Sequence, residues 1–446
     1  MTEPTAPAAA PLANTAPAAV PAASLAAVPA AVPTLAIVGL ALAAGASGLS
    51  LRLADALLPR LSREFNISLG EASLVITVFA VAYGVSQALF GPLGDRFGKY
   101  RVIAWACAAS ALTSLGCALA PGYHSLLLAR LLAGATAAAV IPLAMAWIGD
   151  VVPYERRQPV LARFLIGQIT GFALGVWAGG YTAEHLPWRT PFFALALLFG
   201  LIAVVLQWVR RGLPPAALQP PRRPGGAFVT MLREFKAVAA TPWARVVLVT
   251  VFCEGAAVFG AFAFIPSHLH QRFGLPLSTV GAIVMGYALG GLLFALGARV
   301  LVSRLGEVRL VRWGAAGMAG ALVVIATAPG WGWSIPACMV MGLGFYMMHN
   351  TLQVHATQMA PERRGAAVAA FAASLFLGQS AGVGVAGLVV GTLGTGAVLV
   401  AGALGLLVVA WGFNRQRAHS SVIPPVIPPV IPPTRTGRPP PRRTAR

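Results

Sequence analysis

Four ionisable residues lie inside long apolar stretches of this sequence, where charge is least expected. Arg52 and Asp55 share one stretch, Arg130 lies in a second, and Glu254 lies in a third. A charged side chain inside a membrane is costly, so it faces an aqueous pathway or a partner charge. Arg52 and Asp55 are three residues apart and are predicted to pair, either near the interface or in a cavity. Arg130 either faces a cavity or extends its head to the nearby outer surface.

Glu254 is the strongest candidate for a proton carrier, and Asp55 and Arg130 are further candidates for proton coupling. It lies twelve residues before Pro266, which is about 18 Å along a helix, and it has no partner near it in sequence. Burial near the middle of a membrane favours the protonated form of a carboxyl group. A proton-coupling site requires this property, so we expect a coupling role rather than a neutral packing role.

Other side chains in the apolar stretches are candidate substrate contacts. Four are polar, and they could bind a solute or could bond one helix to another: Gln168, His349, Asn350 and Gln379. Four are aromatic, and they could line an apolar cavity or pack between helices: Tyr83, Phe259, Phe264 and Phe345.

Membrane-spanning helices must position these residues, because the composition excludes a soluble protein. The 446 residues are 58% hydrophobic and 10% charged, with a mean hydropathy of +0.78, whereas a soluble domain carries about 25% charged residues. At about 20 residues per helix, the apolar runs predict twelve spans, at 34–58, 72–92, 102–120, 125–148, 160–183, 190–209, 244–268, 278–298, 309–328, 332–354, 366–391 and 393–412. The predicted fold class is therefore an all-α membrane protein with twelve transmembrane helices.

The spans divide into two groups of six. Residues 34–209 and 244–412 form the predicted halves, and residues 210–243 form a polar, Pro-rich linker. The Ala/Pro-rich segment 1–33 lacks a basic start and is predicted to be a disordered tail rather than a signal peptide. The Pro/Arg-rich segment 413–446 is predicted to be a second, extended tail.

The basic residues predict the orientation. Most of the 32 Lys and Arg residues lie in the even-numbered loops, the linker and the C-terminal tail. The positive-inside rule places these regions and both termini in the cytoplasm, in the inner membrane. The net charge of +20 is spread over short clusters between apolar runs, which argues against nucleic acid as a partner.

The two halves repeat each other at a spacing of about 208 residues. Gly98 in the segment Asp95-Arg96-Phe97-Gly98 aligns with Gly306 in Ser303-Arg304-Leu305-Gly306. The segment Glu155-Arg156-Arg157 aligns with Glu362-Arg363-Arg364. Two parallel six-helix halves of this kind place a substrate between them and rock against each other.

The loop after the second span carries a resemblance to a known family. The segment from Gly91 to Arg101, which reads GPLGDRFGKYR, resembles the signature between helices 2 and 3 of the major facilitator superfamily. The resemblance covers the membrane portion from the first span to the twelfth. It implies two pseudo-symmetric six-helix bundles and a gating latch formed by Gly91, Gly94, Asp95, Arg96, Gly98, Lys99 and Arg101. Position 303 is serine where the first half has Asp95, so the latch is asymmetric.

Two further motifs resemble parts of the same family. Arg130-Leu131-Leu132-Ala133-Gly134 resembles the helix-4 motif, whose arginine is linked to proton coupling. The fifth span carries Gly171, Gly175, Gly179 and Gly180, which is similar to the antiporter motif of the drug-efflux branch. Val176 replaces the usual proline, and small residues at this spacing also serve helix packing, so the motif supports antiport only weakly.

The sequence therefore predicts a proton-coupled secondary transporter, not an enzyme, that exports small organic molecules and works as a monomer. No metal-ligand spacing, phosphate-binding loop or cofactor motif accompanies the apolar helices. One alternative is uptake of an organic anion by proton symport, with Arg52 and Arg130 binding its carboxylate. A second alternative is a membrane receptor or scaffold that uses the two tails.

Overall fold

The computed structural model describes residues 34–218 and 227–419. These residues form helices joined by short turns, and no strand occurs among them. The predicted tail at 1–33 and most of the one at 413–446 lie outside the described residues. Pro220 and Pro221 of the predicted linker lie outside them as well.

The first half contains six spans. In chain order, numbered 1 to 6, they are Thr34–Phe65, Leu69–Phe97, Lys99–Ala118, the pair Tyr123–Ala137 and Val140–Val151, Tyr154–His185, and Thr190–Arg211. Span 4 is thus one crossing made of two helices that follow each other directly. The spans extend past the apolar runs. For example, span 1 continues past residue 58 to Phe65, and Arg60 and Glu64 pair one turn apart at 3.8 Å on this exposed end.

The second half contains spans 7 to 12. Span 7 consists of Pro242–Phe262 and Ile265–Phe273, and span 10 is Ser334–Gln358. Span 8 begins with Leu277–Val284 and continues into the long helix Gly286–Thr327, whose backbone turns at Gly306 (φ 66°, ψ 172°) before span 9. The helix Arg364–His419 turns in the same way at Gly394 and contains spans 11 and 12.

Twelve crossings result. Within the described residues, nine helical segments are long and apolar enough to cross a membrane. Two of these each contain two spans, separated at Gly306 and at Gly394. Span 10 adds 25 residues, about 38 Å of helix, which also suffices to cross a bilayer.

The predicted linker contains helical segments. Besides the turn Pro215–Leu218, it contains the helix Ala227–Ala240. Prolines are absent from this segment, and Ala, Leu, Met, Glu and Lys, which favour helix, dominate it. The Pro-rich character of the linker therefore ends before Ala227.

The internal repeat appears in the backbone. Gly98 has φ 90° where span 2 turns into span 3, and Gly306 has φ 66° where span 8 turns into span 9. Both glycines adopt a conformation that other residues rarely tolerate. The two aligned motifs therefore make equivalent turns in the two halves.

Glycines allow the halves to pack internally and against each other. A Cβ on Gly171 of span 5 would lie 2.0 Å from the Gly45 carbonyl of span 1. A Cβ on Gly382 of span 11 would lie 2.1 Å from the Ala256 carbonyl of span 7. Between the halves, span 2 packs on span 11 and span 5 packs on span 8. We call the end with the turns after spans 2, 4, 8 and 10 the basic end, and the other the opposite end.

Candidate functional site

Two arginines and one aspartate are buried together in the first half. Nη1 of Arg52 lies 3.5 Å from Oδ2 of Asp55, and the two residues are 5% and 0% exposed. Asp55 also interacts electrostatically with Arg130. The predicted pairing of Arg52 with Asp55 is therefore present, in the interior and not at the surface. Oδ1 of Asp55 has no hydrogen-bond partner among the described residues.

Arg130 points into the first half. Its Nε donates to the Val75 carbonyl at 3.2 Å and its Nη1 to the Ser50 carbonyl at 3.3 Å. The guanidinium lies 4.1 Å from the ring centroid of Phe79, and the residue is 1% exposed. These contacts rule out extension to the outer surface. They also occupy part of the guanidinium with backbone carbonyls of spans 1 and 2.

Arg52 faces the second half. Its guanidinium carbon lies 4.2 Å from the ring centroid of Phe259 and 5.1 Å from that of Phe262, both in span 7. The ring centroid of Phe172 in span 5 lies 5.9 Å from the same carbon. A cation held over aromatic rings is favourable without a full counter-charge. Of the three buried charges Arg52, Asp55 and Arg130, Arg52 is thus the one that contacts span 7 across the seam between the halves.

Glu254 has a partner that its own segment did not reveal. Oε2 of Glu254 lies 2.9 Å from Nδ1 of His349 in span 10. Glu254 is fully buried, and its Oε1 has no hydrogen-bond partner among the described residues. The His349 ring stacks on Phe345, with centroids 4.8 Å apart and planes at 11°, and Phe371 packs beside it. A carboxylate and an imidazole at hydrogen-bond distance can hold or exchange one proton.

Aromatic rings connect the two charged groups across the seam. Phe259, which lies under Arg52, packs edge-on against Phe345 with centroids 5.4 Å apart. Phe345 in turn stacks on His349, which contacts Glu254. We call Arg52, Phe259, Phe345, His349 and Glu254 the central cluster. It brings together five predicted site residues from spans 1, 7 and 10.

The remaining predicted substrate contacts differ in burial and in position. Gln379 of span 11 is fully buried, and neither side-chain amide atom has a partner among the described residues. Asn350 and Gln168 are half-buried. Tyr83 is buried and packs on Phe376 of span 11 with centroids 4.3 Å apart. Tyr83 therefore contributes to the seam between spans 2 and 11, not to the central cluster.

The predicted gating loop lies at the basic end. Asp95 is half-buried in the last turn of span 2, and Arg96 stacks beside Phe97. Lys99 forms an ion pair with Asp150 at the end of span 4. Space next to Gly94 is taken by Leu143 and Lys99, whereas a Cβ on Gly91 would meet nothing within 4 Å. Arg101 is exposed.

The glycines of span 5 serve helix packing. Gly171, Gly175 and Gly179 lie against the span 1 backbone at Gly45, Leu49 and Leu53. Gly180 differs, because a Cβ there would lie 2.2 Å from the Leu277 carbonyl of span 8. The last glycine of the motif therefore lies at the seam, close to the opposite end.

Sequence reasoning missed Phe172 and a second buried charge cluster. Glu307 at the start of span 9 lies 3.4 Å from Nε2 of His355 and forms an ion pair with Nη2 of Arg417. Trp243 and Phe413 pack around His355. The internal repeat could have pointed to this cluster, because Glu307 occupies the position in the second half that Lys99 occupies in the first half.

The comparisons with known proteins agree with this architecture. Residues 40–383 match the Major Facilitator Superfamily. This chain belongs to that superfamily. It is 25% identical over 338 residues to the uncharacterized MFS-type transporter YceJ of Bacillus subtilis, covering 74% of this chain and 83% of YceJ.

Two further matches bear on fold and relatives. A crystal structure of the nucleoside transporter NupG has a TM-score of 0.69 at 17% identity, covering 86% of this chain and 100% of NupG. At that identity it shows the fold alone. The multidrug export protein EmrB of Haemophilus influenzae is 28% identical over 174 residues, 39% of this chain and 34% of EmrB. The chain is thus a multi-pass membrane transporter and not an enzyme.

Proposed function

We propose that this transporter moves a small organic solute by alternating access, that protons drive the movement, and that the direction is export. The observation that carries the proposal is the fully buried Glu254 carboxylate at 2.9 Å from His349. A buried carboxylate without a permanent counter-charge is costly when ionised. Proton binding at this pair therefore changes the energy of the second half.

In this proposal, Arg52 links the solute site in the seam to the Glu254–His349 pair. Its guanidinium reaches span 7 and lies over Phe259, so it belongs to one half and touches the other. A rocking movement of the halves changes this contact. Because Phe259 and Phe345 pack between Arg52 and His349, we propose that a solute bound in the seam favours one protonation state of Glu254.

The halves are in close contact at the opposite end of the seam, and this supports access of the solute from the basic end. Close backbone approaches join the halves at the opposite end, for example Gly70 of span 2 against Gly387 of span 11. Glu184 of span 5 also accepts a hydrogen bond from the Ser278 amide of span 8 at 3.0 Å. The positive-inside rule assigns the basic end to the cytoplasm. We propose that the solute enters from there, with both termini cytoplasmic and the protein in the inner membrane.

The gating loop completes the cycle in this proposal. Gly94, Asp95 and Arg96 lie in the last turn of span 2 at the basic end. When the halves close at that end, we expect Asp95 to face a charge or a helix N-terminus of the second half. The contact then forms in one state of the transporter and breaks in the other. A monomer contains every residue that this cycle uses.

Export is favoured over import by the partial similarity to EmrB, whose name describes multidrug export. A second candidate, uptake of an organic anion with protons, is favoured by the surplus of positive charge in the first half. Among the described residues, Asp55 is the acidic partner that Arg52 and Arg130 share. Of the two arginines, Arg52 is the one that faces the seam, so it would bind the anion.

Proton movement in proteoliposomes tests the proposal. The purified protein is reconstituted, and a panel of hydrophobic cations, sugars and carboxylates is added while internal pH is recorded. We expect at least one solute to evoke a proton flux opposite in direction to its own movement, and Glu254→Gln to abolish the flux. Parallel movement of proton and carboxylate would establish the second candidate instead. Solute transport with no proton movement would contradict both.

A further inference from the structure

A long apolar groove runs along the first half at its basic end. Its cavity volume is about 830 Å³, and residues of spans 1, 5 and 6 line it. Span 1 forms the floor with Val38 and Leu42, which are 45% and 55% exposed. Leu174 of span 5 and Leu198 of span 6 line the sides. The groove is therefore open and almost entirely hydrocarbon.

This groove does not face the central cluster. Arg163 and Phe172 both belong to span 5, and they are nine residues apart, two and a half helical turns. They consequently point to opposite sides of the span. Phe172 faces Arg52, whereas Arg163 lines the groove. The groove thus lies on the outer surface of the bundle, where the bilayer would contact it.

Two arginines lie at the basic end of the groove. Arg156 and Arg163 are seven residues apart on the same face of span 5, and both are exposed. Neither side chain makes an ion pair or a hydrogen bond within the described residues, and none of the acidic residues described there lines the groove. Their neighbour Arg157 behaves differently, because it donates to the carbonyls of Gly149 and Val152. Arg163 lies about 10 Å further along the helix than Arg156, so an unneutralised charge there would face the acyl-chain region.

We propose that this groove binds an anionic phospholipid. One acyl chain lies along span 1 between spans 5 and 6, and the phosphate lies between Arg156 and Arg163. A lipid fits both parts of the groove, since its chain covers the apolar walls and its headgroup neutralises two cations that lack partners within the described residues. Attraction between anionic lipids and basic residues near a membrane is well founded physically. The site is separate from the solute path and does not depend on the proposed function.

Native mass spectrometry of the full chain in detergent tests the proposal. The protein is titrated with phosphatidylglycerol and, separately, with phosphatidylcholine of the same chains. We expect a clear preference for phosphatidylglycerol and a loss of about tenfold to thirtyfold in its affinity in R156Q/R163Q, from about 1 kcal/mol for each arginine. Inorganic phosphate alone should not compete.

Two controls make the outcome decisive. Arg309→Gln with Arg312→Gln removes the same charge from the start of span 9, and this variant should keep wild-type affinity. Thr170→Trp fills the groove while retaining both arginines and should lose the lipid, whereas Leu197→Trp on the outer face of span 6 should not. Equal binding of both lipids by the wild type, unchanged affinity in R156Q/R163Q, or unchanged affinity in T170W would each overturn the proposal.

Discussion

The buried charges of the two halves differ in kind. In the first half, Arg52 and Arg130 interact with Asp55, and an arginine keeps its charge at any physiological pH. In the second half, Glu254 pairs with His349, with Oε2 and Nδ1 2.9 Å apart. A repeated scaffold thus carries two arginines that share one carboxylate on one side of the seam and a carboxylate–imidazole pair on the other.

The same difference recurs at the basic end. Lys99 at the start of span 3 pairs with Asp150 at the end of span 4. At the equivalent position, Glu307 starts span 9 and contacts His355 near the end of span 10. The charge is reversed, and a histidine again appears in the second half. The two halves therefore carry different charged groups at equivalent places of the repeat.

The largest loss of stability is expected when the two buried arginines of the first half lose their carboxylate partner. Asp55→Asn leaves Arg52 and Arg130 buried without a carboxylate, which should reduce the free energy of unfolding by about 3–5 kcal/mol. Thermal unfolding in detergent measures this loss. Asp150→Asn removes the same group from the half-exposed pair with Lys99, where less than about 1 kcal/mol is expected. Equal losses in both variants would contradict the view that Asp55 balances the two arginines.

A smaller effect should be equal in the two halves. Gly171→Ala and Gly382→Ala each place a Cβ within 2.1 Å of a carbonyl oxygen of the facing span, so the spans must move apart at a cost of about 1–3 kcal/mol. The measurement is again thermal unfolding. Gly91→Ala and Gly391→Ala are the matched controls, because a Cβ there meets nothing within 4 Å. A large difference between the first two variants would mean that the halves are not packed alike.

The smallest effect concerns pH. Replacing His349 by Gln removes the imidazole that contacts Glu254, so under the proposed coupling the transport rate should change its dependence on pH. His355→Gln removes the other histidine of span 10, which contacts Glu307 and not Glu254, and should keep the wild-type profile. Initial rates in proteoliposomes at several pH values give the comparison. Identical profiles in wild type and H349Q would remove His349 from the coupling site.

Much of the fold was accessible from the sequence. Apolar runs gave the twelve spans, and the aligned glycines at 98 and 306 gave the equivalent turns, because both features are local in the chain. Helix ends were underestimated where charged residues such as Arg60 and Glu64 continue a helix, and the linker helix Ala227–Ala240 was missed. The apolar-run criterion does not detect an amphipathic segment.

The candidate site could be predicted only in part from the sequence. Glu254, His349 and Arg52 were recognisable from their residue types alone, but the partnership of Glu254 with His349 joins positions 95 residues apart. Such a pairing depends on how spans 7 and 10 pack. The contact of Arg52 with Phe259 likewise crosses from one half to the other. Pairings of this type require the tertiary arrangement, which no local pattern in the sequence contains.

The most direct test of the central claim is a count of protons at the moment of solute binding. The detergent-solubilised protein is mixed, in weakly buffered solution, with a solute that the proteoliposome panel has identified, and the change in pH is recorded. If the solute and the proton are coupled, each changes the affinity of the protein for the other by the same factor, so solute binding releases protons. We expect the wild type and Glu64→Gln, which removes a carboxylate from an exposed pair, to release about one proton per transporter. Glu254→Gln should bind the solute and release none, and release equal to wild type in E254Q would contradict the account.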